Sequence, residues 1–151
     1  MRCWALVAVG VTVCLGACGA PLPETVGTLE DGTLAPCPDT PNCVHTGMRH
    51  PEGTEPLYLK DGPELGAVMA ELQRIVGEMP RMSVTHVAEN CLRAEETSRL
   101  FRFVDDLELL VTQERELIVR SASRVGRSDL GVNARRVERL RGLFAEAGLL
   151  R

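Results

Sequence analysis

The chemistry this chain could perform is concentrated in one stretch, Arg120-Ser121-Ala122-Ser123-Arg124-Val125-Gly126-Arg127-Ser128-Asp129-Leu130-Gly131-Val132-Asn133-Ala134-Arg135-Arg136. Arginine forks grip carboxylate or phosphate groups through paired hydrogen bonds, and the free N–H groups of a helix start attract anions. One reading is therefore a site for a small anionic ligand or a partner, built from Asp105, Asp106, Arg120, Ser121, Ser123, Arg124, Asp129, Asn133 and Arg136. The other reading is internal. Asp129 or Asn133 would cap a helix, Gly126 and Gly131 would supply turn conformations, and Arg120 or Arg124 would pair with Asp105 or Asp106 across a sheet. A mixed role stands between the two. Asp105 and Asp106 are adjacent, so an extended strand points them to opposite faces, which argues against two carboxylates sharing one proton.

A second cluster, Cys37, Cys43, His45 and His50, offers two thiolates and two imidazoles, a donor set that suits zinc. Its spacing matches no common zinc module, and thiols exported from the cell meet an oxidising environment, which favours a Cys37–Cys43 disulfide instead. Closing a loop of about seven residues contributes about 2 kcal/mol, enough to lock the loop but not to hold a fold. Cys91 is then unpaired and reads as a small buried strand residue. The serine elbow, the His-Glu-x-x-His zinc motif, the phosphate loop and the dinucleotide fingerprint are all missing, and no cofactor is expected. His86, the one histidine within the predicted strands, reads as structural.

Periodicity predicts the helices and strands that carry these groups. Leu65, Val68, Met69, Leu72, Ile75, Val76 and Met79 recur at helical spacing between Pro63 and Pro80, predicting a helix over 63–79. Strands are predicted over 82–88, 91–97, from Leu100 or Leu107 to Val111, and over 117–121, with Gln113-Glu114-Arg115-Glu116 as the turn between the last two. After a loop over 122–131, Val137, Leu140, Phe144 and Ala147 line one face of a second helix whose other face carries Arg135, Arg139 and Glu146. The expected fold is α+β, an antiparallel sheet of about four strands with both helices on one face.

The N-terminus carries an address. Met1-Arg2 precedes an apolar run from Trp4 to Leu15 and the small residues Gly16 and Ala17, the anatomy of a signal peptide. The run spans only ~18 Å as a helix, short of the ~30 Å a bilayer core demands. Leu15-Gly16-Ala17-Cys18 resembles the bacterial lipobox, which implies a lipidated Cys18 holding the protein to a membrane through its acyl chains, each methylene contributing about 0.8 kcal/mol. Gly rather than Asp at position 19 implies, by resemblance to enterobacterial sorting, the outer membrane facing the periplasm. Residues 1–17 are thus expected to be a signal, 18–35, rich in Gly, Pro and Thr, a flexible tether, and 36–151 one domain.

Composition narrows the partners. The only Trp, Trp4, falls in the signal, so base or sugar stacking is disfavoured and no nucleic-acid partner is expected. Residues 18–119 hold eight Lys/Arg against 18 Asp/Glu, whereas residues 120–151 hold eight Arg against three Asp/Glu. The basic third either attracts an anion or pairs with the acidic remainder of its own fold.

Three motifs in order, Cys37-Pro38-Asp39-Thr40-Pro41-Asn42-Cys43, Phe103-Val104-Asp105-Asp106-Leu107-Glu108, and Arg120-Ser121-Ala122-Ser123-Arg124-Val125-Gly126 running into Asp129-Leu130-Gly131-Val132-Asn133 and Arg136-Val137-Glu138, resemble the family of domain of unknown function 1499 over roughly residues 36–145. The resemblance implies a small α+β domain of envelope proteins and brings no activity, substrate or cofactor. His45 and His50 are not part of its motif. The leading expectation is a non-catalytic, membrane-tethered binding domain for an envelope partner or small anionic ligand. The alternative is a hydrolase or transferase acting on an envelope lipid, phosphoester or peptide. An enzyme needs a Ser or Asp open to a pocket, whereas a structural network is buried and mutually satisfied.

Overall fold

The computed structural model describes residues 21–23, 26, 27, 32–47 and 55–151. The expected signal peptide, Cys18, His50 and half of the expected tether lie outside the described residues.

Four consecutive strands, numbered here with two short ones that precede them, form an antiparallel meander: β3 (Met82–Val87), β4 (Cys91–Thr97), β5 (Val104–Val111) and β6 (Glu116–Ser123). The short strands β1 (Cys43–His45) and β2 (Leu57–Tyr58) both pair with the outer edge of β6, giving a six-stranded sheet in the order β1-β6-β5-β4-β3 with β2 also on β6. The four expected strands are present, and two short ones join them. A three-residue or two-residue strand carries too little alternation to be read from sequence, and only the exposed ladder of β6 selects them. β5 starts at Val104, between the two expected starts, and Glu116 belongs to β6 rather than to the turn. That turn closes on Arg115 at φ 64, with the Thr112 amide donating to the Glu116 carbonyl at 2.9 Å.

Helix α1 (Leu65–Gly77) begins two residues later than its periodicity suggests, and helix α2 spans Val132–Glu146. Their apolar stripes, Val68, Met69, Leu72, Ile75 and Val76 on α1 and Val137, Leu140 and Phe144 on α2, cover the same sheet face. Ala147, expected on that stripe, is the exposed cap residue beyond the helix. The sheet answers with Leu92 and Ala94 from β4, Leu107, Leu109 and Val111 from β5, and Leu117 and Val119 from β6, all buried in one cluster. Each large side chain so buried contributes about 1.5–3 kcal/mol, so this layer dominates the energetics. The alternate residues of β5 and β6 point the other way, onto a face with no helix. Leu34 and Ala35, at the end of the expected tether, are buried all the same.

Candidate functional site

Two acidic dipeptides organise the polar residues. Glu95-Glu96 on β4 lies directly across from Asp105-Asp106 on β5, so Glu96 faces Asp105 and Glu95 faces Asp106. Because side chains alternate along a strand, one carboxylate pair points to each face of the sheet. Like charges directly opposed repel, and each pair is bridged by one arginine.

On the helical face the bridge is Arg136 from the first turns of α2. Its Nε donates to Glu96 at 2.8 Å, Nη2 to Asp105 at 2.7 Å, and Nη1 to Ser121 Oγ at 2.7 Å and to Asn133 Oδ1. Ser121 Oγ–H in turn donates to Asn133 Oδ1 at 2.7 Å, and Asn133 Nδ2 donates to the Asn42 carbonyl and to Ser123 Oγ, both at 3.0 Å. Ser121, Asn133 and Arg136 are all buried. Asp129 accepts from the Gly131 amide at 2.9 Å and the Asn133 amide at 2.6 Å, satisfying free donors at the start of α2. Burial alone would raise the Asp129 carboxyl, but these N–H groups favour its charged form and hold it below the ordinary aspartate value. The capping residue is thus Asp129, while Asn133 points into the network. Gly131, at φ 77, makes the left-handed turn into the helix.

On the open face the bridge is Arg124, just beyond β6. Its Nε and Nη2 grip both oxygens of Asp106 at 2.9 and 2.7 Å, and Nη2 also reaches Glu95. The bond to Asp106 holds the Arg124 guanidinium above its ordinary value against the opposing effect of burial, with Glu95 adding to it. The expected Arg124–Asp106 pair is present. Asp105 is taken by Arg136 instead, and Arg120 pairs with Glu108 at 2.7 Å.

Glu108 is fully buried, and burial pushes its carboxyl up despite the Gly27 amide and Arg120 bonded to it. The Gly27 backbone, at φ 121, adopts a conformation that side-chain-bearing residues rarely take. Gly27 and Leu34 lie over this face and, with His86, Cys91, Arg93 and Glu108 from the sheet, line a half-open cavity of about 330 Å³. Arg93 sits opposite Glu108 on β4, and its Nε is buried without a partner among the described residues, as is Arg120 Nε. Sequence reasoning passed over Glu108, Arg93, Glu95 and Glu96. The signal was there in the two acidic dipeptides of neighbouring strands.

The Cys37–Cys43 disulfide is formed, with Cα atoms 5.6 Å apart, and takes both thiolates out of the four-ligand zinc set; among the described residues no group of three or more His, Cys, Asp or Glu is placed to hold a metal. The loop it closes is functional to the network, since Asn42 donates to the Gly126 carbonyl at 2.8 Å and accepts from Thr40 Oγ1 at 2.6 Å. His45 falls in β1, opposite Arg120, so His86 is not the only sheet histidine. Burial lowers the His45 pKa, the Leu34 carbonyl opposes this and the Arg120 charge adds to it, while Nδ1 accepts from the Gly47 amide at 3.1 Å. Cys91 is free and half-buried.

The architecture is that of a small α+β domain with an antiparallel sheet. Residues 33–144 match the profile of the family described as Protein of unknown function (DUF1499), and the chain belongs to that family. No curated protein matches the sequence.

Proposed function

We propose that this protein is a lipid-anchored envelope protein, held through acyl groups on Cys18 at the outer membrane facing the periplasm, whose domain binds rather than catalyses. The observation that carries the second half is the closure of the polar network. Ser121 is buried, bonded to Asn133 and Arg136, and Asp129 is spent on backbone amides, so neither offers a nucleophile to a pocket. Rearranging them would leave buried charges unpaired, which costs more than a bound ligand readily returns. These residues form the internal frame, and ligand binding falls to other surfaces. The cavity beside Arg93 is within the usual size range for small-molecule sites, and a buried guanidinium Nε without a partner among the described residues suits a small anion.

The test is the mass of the full-length gene product recovered from the membranes of a bacterial host, denatured and native. A denatured mass of the chain from Cys18 plus acyl groups, with additional mass released on denaturation and lost in Arg93→Leu, is the expected result. An unmodified Cys18 overturns the anchor, and identical native and denatured masses overturn the ligand site.

A further inference from the structure

One end of the sheet is dressed differently from the rest of the molecule. There the β4–β5 hairpin tip, residues 98–103, and the β6–α2 loop, residues 124–131, lie side by side, joined by the Arg124 amide donating to the Val104 carbonyl at 3.1 Å. Both loops thrust apolar side chains outward: Leu100 is 78% exposed, Phe101 68%, Phe103 52% and Leu130 86%. The hairpin tip is firmly built, with Ser98 and Phe103 exchanging hydrogen bonds at 2.8 Å and the Phe101 and Phe103 rings stacked 5.5 Å apart.

Folding does not ask for these residues. Leu130 sits at φ 54 and Arg102 at φ 57, left-handed conformations that Gly or Asn would adopt at lower cost. A leucine that is both strained and almost wholly in water serves something outside the fold. Around these apolar tips stand the exposed Arg99, Arg102 and Arg127, and no described residue pairs with them. The two loops contain one acid, Asp129, whose oxygens are occupied by the Gly131 and Asn133 amides. The nearby disulfide loop adds one exposed acid, Asp39.

We propose that this end of the domain docks on an anionic phospholipid bilayer, with Phe101, Phe103, Leu100 and Leu130 entering the boundary between headgroups and acyl chains and Arg99, Arg102 and Arg127 meeting phosphates. Projecting apolar tips ringed by cations suit a soft, uniformly anionic surface. Three such cations together contribute roughly a hundred-fold in partition to an anionic membrane. The acidic remainder of the chain is repelled by the same surface, which turns this end toward it.

The proposal rests on the reading of a membrane-tethered protein, and the chain length permits it. Eight residues separate Cys18 from Gly27, and the nine steps between them span at most roughly 30 Å. Gly27 is bonded to Glu108, four residues along β5 from Val104, or about 13 Å from the docking end. A lipid on Cys18 and both loops can reach one bilayer together.

The full chain carrying Trp4→Phe and Phe101→Trp reports on the tip alone. It is mixed with vesicles of phosphatidylcholine, with or without phosphatidylglycerol, and co-flotation is scored separately. The expected result is blue-shifted emission, quenched by brominated lipid, only when phosphatidylglycerol is present, and loss of that shift when Arg99→Gln, Arg102→Gln and Arg127→Gln are added. A chain that floats with vesicles while its emission stays unchanged overturns the docking and leaves the anchor standing. A shift without flotation of the tip-neutralised variant does the reverse, supporting docking and removing the anchor. An equal shift on neutral vesicles, or one that grows with protein concentration without lipid, also overturns it, the latter in favour of a second copy of the chain.

Discussion

The Arg136 and Arg124 clusters are built from the same parts and do different work. Each has two carboxylates directly opposed on β4 and β5 and one arginine across them. Arg136 comes from α2 and adds Ser121 and Asn133, so its cluster ties helix to sheet, with Arg81 also donating to Glu96 at 2.6 Å from the rim. Arg124 comes from the end of β6 and stitches three neighbouring strands, with the Glu95 side chain still 32% exposed. A charge network becomes a tertiary clamp or a local stitch according to which element supplies its centre and whether water can replace a partner.

Deleting each central arginine tests the difference between clamp and stitch. Arg136→Met leaves Glu96 and Asp105 facing each other beneath α2 and is expected to cost about 3–5 kcal/mol in urea unfolding. Arg124→Met should cost less, about 1.5–3 kcal/mol, because Glu95 can turn to solvent. Equal losses would mean that the helix adds nothing to the clamp. A smaller effect, about 1 kcal/mol at neutral pH, is expected for Asp129→Asn, which weakens the capping of α2. Asp129 titrates below its ordinary value, so its contribution is present above the unfolded aspartate pKa and is lost as pH falls through the folded one. Thermal melts of both proteins should converge in acid.

Glu108 sharpens the contrast with the opposite sign. Its pKa is raised, so the stability it carries is complete below the ordinary glutamate value and declines as pH rises through the raised one. Melting temperatures of Glu108→Gln should therefore gain on the parent protein as pH rises through that window. A constant difference between the two would place Glu108 in an unburdened ion pair with Arg120 rather than in a cavity wall that resists its charge.

Much of this was legible beforehand. The periodicity of Val68 to Val76 and of Val137 to Phe144 places both helices, and the opposite orientation of Asp105 and Asp106 follows from strand geometry alone. The Cys37–Cys43 bond needs only spacing and an oxidising compartment. The partners of the arginines were not legible. Asn133 and Arg136 continue the apolar stripe of α2 at helical spacing, yet a polar residue on a buried stripe makes sense only when the strand positions beneath it are known to be polar as well. Glu96, Asp105, Ser121 and Ser123 are those positions, and they come together through strand register rather than through sequence proximity.

Local pattern alone settles which residues alternate, which face of each helix is apolar and where the chain must turn, because those properties depend on neighbours a few positions away. It took the assembled fold to place β1 and β2 on the edge of β6, to set two acidic dipeptides opposite one another, and to gather Leu100, Phe101 and Leu130 beside arginines that no described residue pairs with. The physical reason is that register and layer packing bring together residues far apart in the chain, and their charges and exposures acquire meaning only from the neighbours that the fold gives them.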